Sequence, residues 1–135
     1  MTPSRSPSPP SSRPAVLVAD DDSSCLNICA EVLAKSGFVV YVAHDGVRAL
    51  RMAAERRPDV VLTDLYLPVM DGCELIRRLR GGGLATPVIL MSGSSDGEVQ
   101  AFRHHAAGYL AKPFVARAAV EVVQRVLAAD TSHGA

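Results

Sequence analysis

The sequence predicts an α/β protein with a parallel sheet covered by helices on both faces, and three observations predict it. Five short β-rich runs alternate with amphipathic stretches from Ala15 onward. Alternation of that kind calls for crossover helices and hence parallel strands. The first, third and fourth runs are almost free of polar interruptions, as strands buried on both faces must be. Each of these three ends on a carboxylate or a hydroxyl: Val16–Ala19 runs into Asp20-Asp21-Asp22, Val60–Thr63 into Asp64, and Val88–Met91 into Ser92. A lysine, Lys112, follows the fifth run and stands before Pro113.

The elements follow in order. Val16 to Ala19 forms the first strand, and Ser23 or Ser24 can cap the helix after it. Cys25, Leu26, Cys29, Val32 and Leu33 recur at helical spacing, and Ser36-Gly37 stops that helix because glycine accepts a left-handed backbone. Phe38 to Val42 is the second strand. Asp45 caps a helix through Val47, Leu50 and Ala54 that ends before Pro58. Asp59 to Thr63 is the third strand. A loop with Pro68 and Asp71-Gly72 then leads into a short helix bearing Leu75, Ile76 and Leu79, which Gly81-Gly82-Gly83 terminates. Pro87 opens the fourth strand, and Ser95 or Asp96 starts a helix through Val99 and Phe102. Tyr109 to Ala111 is the fifth strand. The last helix runs from Val115 to about Ala128, with Val115, Ala119, Val122, Val123 and Val126 along one side.

Composition fits this frame and excludes other classes. A chain of 135 residues with 48% apolar content suits one domain with a two-sided core. Basic and acidic residues balance at 14 each, so no broad cationic surface points to nucleic acid. Arg77-Arg78-Arg80 reads as a solvated helix face. The apolar runs are too short for a bilayer, so no membrane association is expected. Residues 1–14 are rich in Pro and Ser and read as a disordered leader, 15–128 as the folded domain and 129–135 as a tail. Cys25, Cys29 and Cys73 have no paired zinc spacing and read as core thiols of a reducing compartment. None of His44, His104, His105 and His133 falls at a strand end beside the acids.

The chemistry lies at the carboxyl ends of the strands, the edge where open α/β sheets bind ligands. Consecutive acids such as Asp20 and Asp21 repel unless something positive sits among them. Carboxylate and carbonyl oxygens with retained waters suit a hard cation of the Mg²⁺ kind. Asp22, where a helix begins, serves equally well as a cap favoured by the helix dipole. Asp64 can be a further metal-facing acid or a nucleophile that accepts a phosphoryl group. Ser92 and Lys112 can donate to two phosphoryl oxygens.

Four motifs carry a family resemblance. They are Val16-Leu17-Val18-Ala19-Asp20-Asp21-Asp22, Asp64-Leu65-Tyr66-Leu67-Pro68-Val69-Met70-Asp71-Gly72, Pro87-Val88-Ile89-Leu90-Met91-Ser92-Gly93 and Gly108-Tyr109-Leu110-Ala111-Lys112-Pro113-Phe114. In this order, over Ala15 to Ala128, the sequence resembles the receiver domain of bacterial two-component response regulators, of the stand-alone type. The resemblance implies a doubly wound, flavodoxin-like sheet of five parallel strands in order 2-1-3-4-5 with five helices. It implies that Asp64 is the phosphoacceptor, served by a phosphohistidine of a sensor histidine kinase or a histidine phosphotransfer protein. Mg²⁺ would be held by Asp21, Asp64 and the Tyr66 main-chain carbonyl, with Asp20 reaching it through water. Ser92 and Lys112 would bind the phosphoryl oxygens. Ser92 and Tyr109 would form the switch that signals to a downstream protein target, and the bond before Pro113 would be cis. Such a protein is cytoplasmic and is not a conventional enzyme, since it processes only its own phosphate.

Three departures from the family pattern cluster on the fourth helix and its flanks: Gly93 after the hydroxyl, Gly97 near the helix start, and His105 where glycine is usual. A phosphatase of the haloacid dehalogenase type would also begin on Asp20-Asp21-Asp22. It leaves the stretch from Asp64 to Gly72 unexplained and needs a later pair of acids that this sequence lacks.

Overall fold

The protein was analysed as a computed structural model, which describes residues 13–134, with side chains described through residue 129. The leader expected over 1–14 lies almost wholly outside the described residues.

Five strands and five helices alternate: β1 (Ala15–Ala19), α1 (Ser23–Lys35), β2 (Val39–Ala43), α2 (Gly46–Arg56), β3 (Val60–Asp64), α3 (Gly72–Gly81), β4 (Val88–Ser92), α4 (Gly97–Arg103), β5 (Gly108–Ala111) and α5 (Ala116–Gly134). All strand pairs are parallel and the order is β2-β1-β3-β4-β5, a doubly wound, flavodoxin-like sheet. Successive side chains of a strand face opposite ways, and here both faces are covered. Val16 and Val18 of β1 pack with Leu26, Cys29 and Leu33 of α1 and with Val122, Val123 and Val126 of α5. Leu17 and Ala19 pack with Ala49 and Ala53 of α2 and with Leu75, Ile76 and Leu79 of α3. Continuous apolar runs are the sequence form of strands buried on two sides.

Helix boundaries differ from expectation in ways the local chemistry explains. Of the three candidate caps at α1, Asp22 is the one used rather than Ser23 or Ser24: its carboxylate accepts the Ser24 amide at 3.0 Å. Carboxylate caps also open α2, where Asp45 accepts from Arg48 N at 2.7 Å, and α3, where Asp71 accepts from Glu74 N at 2.9 Å. The inner face of α2 is Gly46, Ala49 and Ala53, whereas Val47 and Ala54 point outward. Small residues are needed there, because a Cβ on Gly46 would lie 2.2 Å from the Met70 carbonyl oxygen. Strand β2 is shifted by one residue, leaving Phe38 buried below it. Strand β3 begins one residue later than expected and includes Asp64 as its last residue.

Helix α4 has only seven residues and buries Gly97 and Ala101, so Val99 and Phe102 face solvent. Val115 precedes α5 and is exposed rather than on its inner side. That helix continues to Gly134, through most of the segment expected as a tail, since no proline or glycine interrupts 129–133. His105, which stands where the family pattern has glycine, takes a left-handed backbone with φ 59°.

Arg77 and Arg78 both pair with Glu74, and Arg80 donates to the Leu84 carbonyl, so the basic cluster of α3 is largely satisfied by its own helix and the loop that follows it. No helix among the described residues is long and apolar enough to cross a membrane.

Candidate functional site

Strand register assembles the site. Ala19 pairs with Thr63, Asp64 with Met91, and Ser92 with Ala111, so the residues at these strand ends share one edge of the sheet. Carboxylate oxygens of Asp20, Asp21 and Asp64 all lie within 4.8 Å of one another. Asp20 is fully buried, whereas Asp21 is exposed at the rim.

Lys112 reaches into this group from the end of β5. Its Nζ donates to Asp20 Oδ2 at 2.8 Å and to Asp64 Oδ2 at 3.2 Å. The peptide bond between Lys112 and Pro113 is cis. Asp20 Oδ1 accepts the Asp22 amide at 3.0 Å, and Asp64 Oδ1 accepts the Tyr66 amide at 3.3 Å.

The two carboxyls respond differently to this environment. Burial works to raise the pKa of Asp20, but hydrogen bonds from Lys112, the Asp22 amide and Cys25 hold it below the usual carboxylate range. For Asp64, burial prevails, reinforced by the like charge of Asp20 and only partly offset by Lys112, and its pKa is raised. Burial also opposes the charge on Lys112, yet the hydrogen bond to Asp20 and the charges of both acids keep it firmly protonated. An ammonium paired with two of three clustered carboxylates leaves a net negative pocket.

That pocket suits a small hard cation. Its carboxylate donors are all oxygen, the ligand type that such a cation takes.

Ser92 ends β4 with its side chain almost fully buried, and its Oγ accepts the Ser94 amide at 2.9 Å. Tyr109 donates its hydroxyl to the Ser92 main-chain carbonyl at 3.2 Å. Its ring packs against Gly97 so closely that a Cβ there would lie 2.4 Å from the phenolic oxygen. Gly97, noted in the sequence as a departure, is thus what makes room for Tyr109.

Two residues were missed from the sequence. Cys25, read as a core thiol, is only half-buried and hydrogen-bonds Asp20. Burial and that acid push its thiol pKa well up, so it remains protonated. The signal was available: a cap at Asp22 brings Cys25 onto the first turn of α1, beside the end of β1. Asp96 does start α4, as expected, but its carboxylate also joins two loops through the Tyr66 and Ser94 hydroxyls. No local pattern reveals that link, because Tyr66 is thirty residues away.

Comparison with known proteins agrees with the fold. The family model of the response regulator receiver domain matches residues 16–124, and the chain belongs to that family. It is 42% identical over 126 residues to the transcriptional regulatory protein PrrA of Mycobacterium leprae, covering 92% of this chain and 53% of PrrA. The chain therefore spans about half the length of that relative. Among solved structures, it resembles the chemotaxis response regulator CheY4 of Vibrio cholerae, with 30% identity, a TM-score of 0.79 and coverage of 85% of this chain and 99% of that one. A Francisella response regulator receiver domain gives 30% identity and a TM-score of 0.80, over 87% of this chain and 99% of the other. The matched region, residues 16–124, is a two-component signalling module rather than a conventional enzyme.

Proposed function

We propose that this receiver accepts a phosphoryl group on Asp64 in a Mg²⁺-dependent reaction and signals the change to a partner protein. The single observation that carries the reading is Lys112 Nζ held between Asp20 and Asp64 in a pocket of three carboxylates.

Asp64 Oδ attacks phosphorus as the bond to a donor imidazole nitrogen breaks, and the electron pair leaves with the imidazole. The donor is a phosphohistidine of a sensor histidine kinase or a histidine phosphotransfer protein. Asp21, Asp64 and the Tyr66 main-chain carbonyl would hold Mg²⁺, and Asp20 would reach it through water. The bound cation supplies charge that shields the approaching phosphoryl oxygens from the carboxylates. Lys112 transfers its attention from Asp64 to one phosphoryl oxygen, and the Ser92 hydroxyl donates to another.

Output follows from the same contacts. A group of nearly two negative charges pulls Ser92 and Lys112 toward it. Because the Tyr109 hydroxyl rests on the Ser92 carbonyl, movement of Ser92 displaces the anchor of Tyr109 and alters the surface around β5. A downstream protein reads that change, and the cytoplasm, where its kinase partners act, is the setting.

The test is uptake of phosphate from acetyl phosphate, followed by intact-protein mass. Wild type gains one phosphoryl group with Mg²⁺ and none with a chelator. Labelling that is indifferent to Mg²⁺ would overturn the reading.

A further inference from the structure

Among the described residues, four helices start on an aspartate, and the carboxylate of one of the four makes no cap bond. Asp22, Asp45 and Asp71 each take a main-chain N–H of the following helix. Asp96 stands at the same position before α4, but its carboxylate accepts no helix amide. Oδ1 of Asp96 instead accepts the Tyr66 hydroxyl at 3.3 Å and a close hydrogen bond from the Ser94 hydroxyl. On the other oxygen, Gln100 Nε2 lies at 3.5 Å.

These bonds tie together the two loops that flank the carboxylate pocket. Tyr66 is anchored at its backbone by Asp64 Oδ1 and at its ring tip by Asp96. Ser94 is anchored at its amide by Ser92 Oγ and at its hydroxyl by Asp96. The phenol therefore spans from the end of β3 to the loop after β4, with a carboxylate fastening its far end.

We infer that Asp96 is a positioning residue that clasps Tyr66 across the mouth of the pocket and so sets how fast phosphate on Asp64 is lost to water. The inference rests on the phosphoacceptor reading above. In that loss, a water oxygen bonds to phosphorus while the bond from phosphorus to Asp64 Oδ breaks. The electron pair returns to the Asp64 carboxylate, and both water protons leave with the inorganic phosphate. A ring held over the mouth obstructs the approach of that water. A ring released from Asp96 swings into solvent, since Tyr66 is already half-exposed.

The experiment loads Mg²⁺-bound protein from acetyl phosphate, removes the donor and follows phosphate loss in wild type, Asp96→Ala, Asp96→Asn, Tyr66→Phe and the double variant Asp96→Ala/Tyr66→Phe. Asp96→Ala and Tyr66→Phe each speed the loss about fivefold, the factor that one net hydrogen bond is worth. The double variant loses phosphate no faster than either single variant, because both break the same link. Asp96→Asn keeps an oxygen with two lone pairs and stays near the wild-type rate. An unchanged or slower loss in Asp96→Ala, or factors that multiply in the double variant, would overturn the clasp.

A second measurement needs no phosphate. The Tyr66 ring resonances of the unphosphorylated protein shift in Asp96→Ala and stay in place in Asp96→Asn. Resonances that ignore Asp96→Ala would also overturn the clasp. Failure of wild type to gain any phosphate would instead defeat the phosphoacceptor reading, and with it the claim about lifetime.

Discussion

Replacing Lys112 with methionine keeps an apolar stem of similar length and removes one charge, so it isolates the electrostatic role of the ammonium. Asp20 is 0% exposed, Asp64 14% and Lys112 22%. Removing one partner of a buried pair costs about 3–5 kcal/mol, because a charge is left without compensation. Water reaches the Lys112 tip, and screening there reduces the expected loss to about 2–3 kcal/mol. For a domain of this size that lowers Tm by roughly 8–12 °C. The assay is urea and thermal unfolding with a chelator present, repeated across a Mg²⁺ titration. Without metal, Lys112→Met is destabilised by the stated amount. With metal it recovers more than wild type does, since the cation no longer competes with an ammonium, and a ligand at a hundred times its Kd stabilises by about 2.7 kcal/mol. Equal stability of variant and wild type in the chelator would refute the idea that Lys112 neutralises this pocket. A variant that gains less from Mg²⁺ than wild type would refute the competition.

Other perturbations separate the acids and the backbone. Asp21→Ala lowers Mg²⁺ affinity by at least about tenfold, the loss that even a supporting residue of a metal site can cause, and barely changes stability. Asp22→Ala does the reverse: Mg²⁺ affinity stays within about twofold, while loss of the Ser24 amide bond costs about 1 kcal/mol in urea unfolding. Val69 holds φ 68° with its side chain 95% exposed, so Val69→Asn relieves strain at no loss of packing. That variant gains about 0.5–1 kcal/mol, seen as a higher urea midpoint at unchanged slope. Gly72→Ala places a Cβ 2.8 Å from Leu90 Cδ2 and 2.9 Å from the Asp64 carbonyl oxygen. It costs about 1–3 kcal/mol and weakens Mg²⁺ binding by displacing the end of β3, whereas Gly81→Ala, with open space around it, does neither.

What could be read in the sequence, and what could not, divides along physical lines. Strands buried on both faces had to be continuous apolar runs, so β1, β3 and β4 stood out with the acids and hydroxyl that end them. Asp45 was legible as a cap because it stands alone before its helix. At α1, Asp22, Ser23 and Ser24 are all competent to cap, and only the backbone decides among them. At α2, Leu50 does pack against the core, but Val47 and Ala54 face outward, and the close approach of Met70 demands glycine at Gly46. The end of α5 was set too early because polar residues such as Asp130 and Thr131 were read as loop, although nothing there breaks a helix. Asp96 was beyond local reasoning. Its role depends on Tyr66 across the pocket, a tertiary contact that no spacing encodes.

The central claim is that Asp64 carries the phosphoryl group, and the most direct measurement is peptide mapping by mass after treatment with acetyl phosphate and Mg²⁺. The account predicts that the added phosphate is found on the peptide containing Asp64, and that Asp64→Asn, which keeps the shape and removes the nucleophile, gains none. Phosphate mapped to any other residue, or undiminished uptake by Asp64→Asn, would contradict it.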